Sequence, residues 1–135
     1  EDICQEYLWK LLLEGNSPVE FSSLGRWWGT DPATRRQEEI DIMGEQDSST
    51  ALFGECKWRQ EPVDAGVLET LVNRSRLFHY SKVELYLFAK IGFTSGCMEQ
   101  AEQMGNVHLV TYQDILNALQ PEKNNAKKEG TLWRP

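Results

Sequence analysis

Apolar residues recur along this chain at two periods, and the switches between them mark its elements. Ile3, Tyr7, Leu8, Leu11 and Leu12 form one stripe at helical spacing, which predicts a helix over 2–14. Gly15-Asn16-Ser17-Pro18 ends it. Residues 19–28 read as a first strand that closes on Trp27-Trp28, before a turn at 29–32. Residues 38–44 alternate, with Glu39, Asp41 and Met43 facing one way and Ile40 and Ile42 the other. A polar turn at 45–49 leads into the second strand of the same hairpin, 50–58. Asp64 can cap a helix over 65–78, whose stripe is Val67, Leu68, Leu71, Val72 and Leu77. The run 83–92 is apolar enough for a strand covered on both faces. Ser95 caps a short helix to 104, 107–112 is a further strand, and Asp114 caps a last helix to 119. The order αβββαβαβα predicts an α/β protein, a mixed central sheet flanked by helices on both faces.

Composition narrows the class. A chain of 135 residues, 40% hydrophobic and 26% charged, suits one globular domain. That domain is read at 1–120, and the polar stretch 121–135 as a flexible tail whose one sticky residue is Trp133. No apolar run approaches the roughly 18 residues of a membrane span, and no signal peptide opens the chain, so no membrane role is expected. Cys4, Cys56 and Cys97 make no CxxC pair and fit a reducing cytoplasm. Because Glu1 already reads as helical, the chain is expected to be a piece of a longer protein. The net charge of −7 argues against nucleic-acid binding by bulk electrostatics, although carboxylates clustered for a metal would lower the charge in the same way.

Candidate chemistry lies in the hairpin. Asp41 precedes Glu55 by fourteen positions, so a hairpin can set the two carboxylates side by side. Glu55 and Lys57, two apart on a strand, share a face. Two carboxylates can hold Mg²⁺, or Mn²⁺ in its place, and a neighbouring lysine can orient or help deprotonate an attacking water and pair with a phosphate. The carbonyl of Cys56 would lie near the ion. An E-x-K triplet is weak alone; the apolar flanks Ile40, Ile42, Leu52 and Phe53 strengthen it, because charges in buried strands need a reason. Spacing leaves two readings open, a metal site and a structural ion cluster.

The segments Gly25-Arg26-Trp27-Trp28, Glu39-Ile40-Asp41-Ile42 and Leu52 through Arg59, with Leu85-Tyr86-Leu87-Phe88 and Gly92-Phe93-Thr94, carry a resemblance. They resemble the C-terminal domain of archaeal-type ATPases, domain of unknown function 234, which is similar to PD-(D/E)XK nucleases. The resemblance implies a restriction-endonuclease-like core. It implies a metal-binding Asp41, a second carboxylate at Glu55, a catalytic Lys57, and a first-helix acid at Glu1 or Glu6. Glu1 lies seven and eleven positions before Leu8 and Leu12, on their face of the helix, while Glu6 points away. An ATPase domain on the N-terminal side is implied too. No G-x-x-x-x-G-K-[ST] loop occurs here, so this segment is not itself that ATPase.

The expectation is therefore a Mg²⁺-dependent DNA endonuclease domain beside an ATPase, or a nuclease-like module without turnover that docks nucleic acid or protein. Arg59, Arg35, Arg36, Arg74 and Arg76 are candidate phosphate contacts, with Arg59 preferred if its strand continues past Lys57. Trp28 could stack on a base, or the tryptophan pair could split between core and surface. A third reading, a purely structural dimerisation domain, draws on the tryptophans, and a homo-oligomer is compatible with it.

Overall fold

The computed structural model describes residues 2–120. Glu1, and the tail read at 121–135 with Trp133, lie outside the described residues. The elements follow the expected order: α1 (Asp2–Leu13), β1 (Gly25–Thr30), β2 (Gln37–Asp47), β3 (Thr50–Lys57), α2 (Ala65–Ser75), β4 (Lys82–Ala89), α3 (Ser95–Met104), β5 (Val107–Thr111) and α4 (Tyr112–Leu119). Within the described residues the strands form one mixed sheet in the order β1-β2-β3-β4-β5, so the fold is α/β. β1, β2 and β3 pair antiparallel as a meander, whereas β3-β4 and β4-β5 are parallel and need the crossover helices α2 and α3.

Alternation in the central strands divides the core into two layers. Ala51, Phe53, Leu85, Leu87 and Ala89 pack against Leu68 and Leu71 of α2 and Cys97 and Ala101 of α3. Leu52, Tyr86 and Phe88, pointing the other way, pack against Cys4 and Leu8 of α1 and Ile115 of α4. β3 and β4 are thus covered on both faces, which is why the run 83–92 reads as a strand covered on both faces. Local chemistry fixes the helix starts. Asp64 accepts from Val67 N at 3.2 Å, Thr94 from Cys97 N at 3.2 Å, and Thr111 with Asp114 forms a reciprocal capping box. Among the described residues no helix is long and apolar enough to cross a membrane.

The structure corrects three local expectations. First, residues 19–24 are not part of a strand; β1 begins only at Gly25. Val19 and Phe21 alternate because they plug the layer under α1, and Phe21 meets Trp9 edge to face at 4.8 Å. Second, the caps of α3 and α4 are Thr94 and Thr111, one and three positions before the expected Ser95 and Asp114. Third, Ile40 and Ile42 do not share a face: Ile40 belongs to the α2–α3 layer and Ile42 to the α1–α4 layer. The β1-β2 register explains this. Gly25 pairs with Met43 but Trp27 with Ile40, so β2 carries one extra residue there, a bulge at Asp41 and its neighbours.

Candidate functional site

The bulge lies where the chemistry is. On the other side of β2, Ile42 pairs with Gly54 in β3, and the same register continued by one step sets Asp41 opposite Glu55. Gly54 permits this closeness, since a Cβ there would sit 3.2 Å from Ile42 Cβ. The bulge breaks the alternation at Asp41, and its Oδ2 accepts a hydrogen bond from the backbone N–H of Cys56 at 2.9 Å. Asp41 is thereby held at the end of β3 by the backbone of the residue between Glu55 and Lys57.

Glu55 shares the α2 face of β3 with Phe53, and its side chain is only 8% exposed. Lys57 Nζ lies 3.4 Å from Glu55 Oε1. From the last turn of α2, Arg74 reaches over the strands, with NH1 3.7 Å from Glu55 Oε2 and Nε 2.8 Å from Glu38 Oε2. Even so, Glu55 Oε2 is buried without a hydrogen-bond partner. Burial, with the charge of Asp41 adding to it, pushes the Glu55 carboxyl up to about 7, against the pull of Lys57 and Arg74. Arg26 of β1 completes the rim, with Nε 3.0 Å from Glu39 and NH2 4.0 Å from Asp41 Oδ1. Glu39, Asp41, Glu55, Cys56, Lys57 and Arg74 together line a polar cleft of about 290 Å³.

Cys56 turns its thiol to the opposite layer. A hydrogen bond with the Cys4 thiol and burial push that thiol up, so it ties β3 to α1 and offers no nucleophile to the cleft.

Asp41, Glu55, Lys57 and Cys56 are therefore brought together. Arg74 joins them, and the other described candidates do not. Arg59 lies past the end of β3, outside the cleft lining, because the strand stops at Lys57. Arg35 and Arg36 sit in the β1-β2 connection, where Arg35 adopts a left-handed backbone (φ 59°). Arg36 lines a neighbouring cleft of about 310 Å³ with Asp31, Glu38, Thr70 and Arg74. Arg76 is the C-cap of α2. Trp28 is 64% exposed on β1, while Trp27 packs edge to face on Phe78 at 4.9 Å, so the pair splits between surface and core. Glu6 is exposed on α1. Arg74 carries more of the site than the sequence reading gave it. Its signal was its place three residues after the core residue Leu71, which sets it at the margin of the buried stripe.

A hard divalent cation fits this donor set in one respect. Oε2 of this buried carboxylate, opposite a second carboxylate, has Arg74 in ion-pair range but no hydrogen-bond donor, and so is an oxygen with coordination to spare. Among the described residues no three His, Cys, Asp or Glu side chains converge as a metal-binding group. Mg²⁺ does not need three, since it is commonly held by one or two carboxylates with water and substrate phosphate.

Fold and cleft define the class: an α/β domain on a mixed sheet, with paired carboxylates and a lysine at the end of its central strand. The sequence matches the family DUF234, described as archaea bacterial proteins of unknown function, over residues 1–71. That is more than half of the chain, and the chain belongs to this family. Among solved structures, one described as the crystal structure of a protein of unknown function, AF1548, is similar in fold, with a TM-score of 0.50 at 18% identity. The match covers 86% of this chain but 65% of that one, so this chain spans less than two thirds of that protein's length. No curated protein matches the sequence.

Proposed function

We propose that this domain is a PD-(D/E)XK-type, Mg²⁺-dependent DNA endonuclease acting beside an ATPase of the same protein. The observation that carries the reading is Glu55: a buried carboxylate with one oxygen that accepts no hydrogen bond, opposite Asp41, in one cleft with Lys57. Burying such a group costs stability unless a ligand uses it. Asp41 and Glu55 would hold the ion, with the Cys56 carbonyl as a further oxygen. When bound, the ion would supply positive charge to the phosphoryl group and make water easier to deprotonate.

The protein's own groups divide the remaining work. Lys57 Nζ, now against Glu55 Oε1, is placed to hold the attacking water or a phosphate oxygen. Asp41 is oriented by Cys56 N–H, which fixes one oxygen and leaves Oδ1 toward the rim. Arg74 can pass from Glu55 to a phosphate while keeping its tie to Glu38, which would hold the scissile group in the cleft.

A second reading, a nuclease-like module without turnover that docks nucleic acid or the ATPase, rests on the same arginine. Arg74 and Lys57 already offset the charge of Glu55 without an ion. Thermal melting in EDTA and in Mg²⁺ separates the two. A cation at ten times its Kd stabilises the native state by about 1.4 kcal/mol, a rise of a few degrees in Tm. The nuclease reading expects that rise. An unchanged Tm at millimolar Mg²⁺ or Mn²⁺ removes the metal site and leaves the docking module.

A further inference from the structure

The parallel half of the sheet ends in a single row. Lys57, Ala89 and Thr111 are in register across β3, β4 and β5, so Trp58, Lys90 and Tyr112 leave the sheet side by side. Lys90 N–H donates to the Lys57 carbonyl at 3.3 Å, which holds the exit of β4 against that of β3. Tyr112 is fixed as the first residue of α4 by the capping box of Thr111. Over this end of the sheet the rings of Trp58 and Tyr112 meet edge to face, centroids 5.9 Å apart and planes at 80°.

Neither ring belongs to either core layer. Trp58 is 42% and Tyr112 39% exposed, and Lys90 is exposed between their chain positions in the row. Large rings ordinarily bury nearly all of their surface, and this pair, edge against face, still leaves part of each ring in water. The carboxyl ends of parallel strands are where open α/β sheets bind ligands. Here that end adjoins the cleft directly, because Lys57 lines the cleft and Trp58 is the next residue.

Two partly exposed rings, two lysines and a neighbouring polar cleft suit one kind of occupant. A nucleobase stacks on a ring while its phosphates meet ammonium groups, and the net charge of −7 makes such local cations necessary for any polyanion. We infer that Trp58 and Tyr112 form a stacking shelf for an unpaired nucleobase. The substrate would then be a nucleic acid with a single-stranded or flapped nucleotide at the cleft, since bases inside a duplex have their faces covered. The placement of the shelf rests on the phosphodiesterase reading; the shelf itself does not.

The test is metal-free binding, in EDTA at low salt, of a fluorescent oligothymidylate and of a blunt duplex of equal length, followed by anisotropy. The single strand is expected to bind more tightly. Trp58→Ala and Tyr112→Ala should each weaken it about 5- to 150-fold, the range of one stacked base, with Trp58→Phe close to wild type and duplex binding nearly unmoved. Equal binding of both forms, or single-strand binding indifferent to Trp58→Ala, overturns the shelf. So does a protein that binds neither oligonucleotide but self-associates through Trp58. Cleavage assayed in parallel separates the two proposals. Single-strand binding lost in Trp58→Ala, with no cleavage by wild type, keeps the shelf and sinks the nuclease. Metal-dependent cleavage indifferent to strandedness and to Trp58→Ala does the reverse.

Discussion

Replacing Glu55 by Gln should make the metal-free protein more stable at alkaline pH. The carboxyl ordinarily titrates near 4.5 and is pushed up to about 7 in the fold, by burial first and by Asp41 second. Below pH 4.5 both folded and unfolded chains hold the proton, and the shift costs nothing. Between the two values the folded chain keeps a proton that the unfolded chain has lost, so stability falls as pH rises. Above about 7 the whole cost is present. With about 1.4 kcal/mol per pH step of separation, it comes to about 3 kcal/mol. Glutamine fills the same space and never ionises. Its gain at pH 8 should approach that figure, which already contains the attraction of the charge to Lys57 and Arg74. The assay is urea unfolding of both proteins in EDTA from pH 4.5 to 8.5. Every other titrating group is common to both, so the difference in unfolding free energy isolates this site. It should open steadily between pH 5 and 7.5, with the variant above wild type. Parallel curves, or a variant that loses stability as the pH rises, would refute the reasoning.

Three other outcomes follow from the same geometry. Asp41→Asn should raise the Tm in EDTA by relieving the repulsion of Glu55, and should abolish any Mg²⁺-dependent rise; scanning calorimetry with and without the ion checks both. Lys57→Ala should retain Mg²⁺ binding in a calorimetric titration, tightened by loss of the nearby cation, while a structural ion cluster would instead show a lower Tm and little rescue. Gly54→Ala should cost about 1–3 kcal/mol in denaturant unfolding, because its Cβ would press on Ile42 Cβ at 3.2 Å with little room to yield; an unchanged midpoint would show that the β2-β3 contact is looser than described.

The element order and the mixed sheet were legible because the two faces of the sheet are filled by alternating residues and the helices by single stripes. The hairpin that pairs Asp41 with Glu55 was legible for the same reason. Residues 19–24 misled because alternating Val19 and Phe21 bury their side chains without joining a ladder, and pattern reports burial, not pairing. The bulge at Asp41 was hidden, since an inserted residue leaves no mark in a sequence whose Ile40 and Ile42 are both buried whichever layer they enter. Arg59 was preferred over Arg74 because proximity along the strand could be counted, whereas the reach of Arg74 depends on how α2 lies across β2 and β3. Tertiary packing placed the arginine that spacing could not.

The central claim, that Asp41, Glu55 and Lys57 cut a phosphodiester with a divalent ion, is tested most directly by cleavage. Supercoiled plasmid and single-stranded circular DNA are incubated with wild type, Asp41→Asn and Lys57→Ala, in EDTA, Mg²⁺ or Mn²⁺. The account predicts nicked or linear products from wild type only, and only with the ion. No cleavage of either DNA by wild type in Mg²⁺ or Mn²⁺, or equal cleavage by all three proteins, would contradict it.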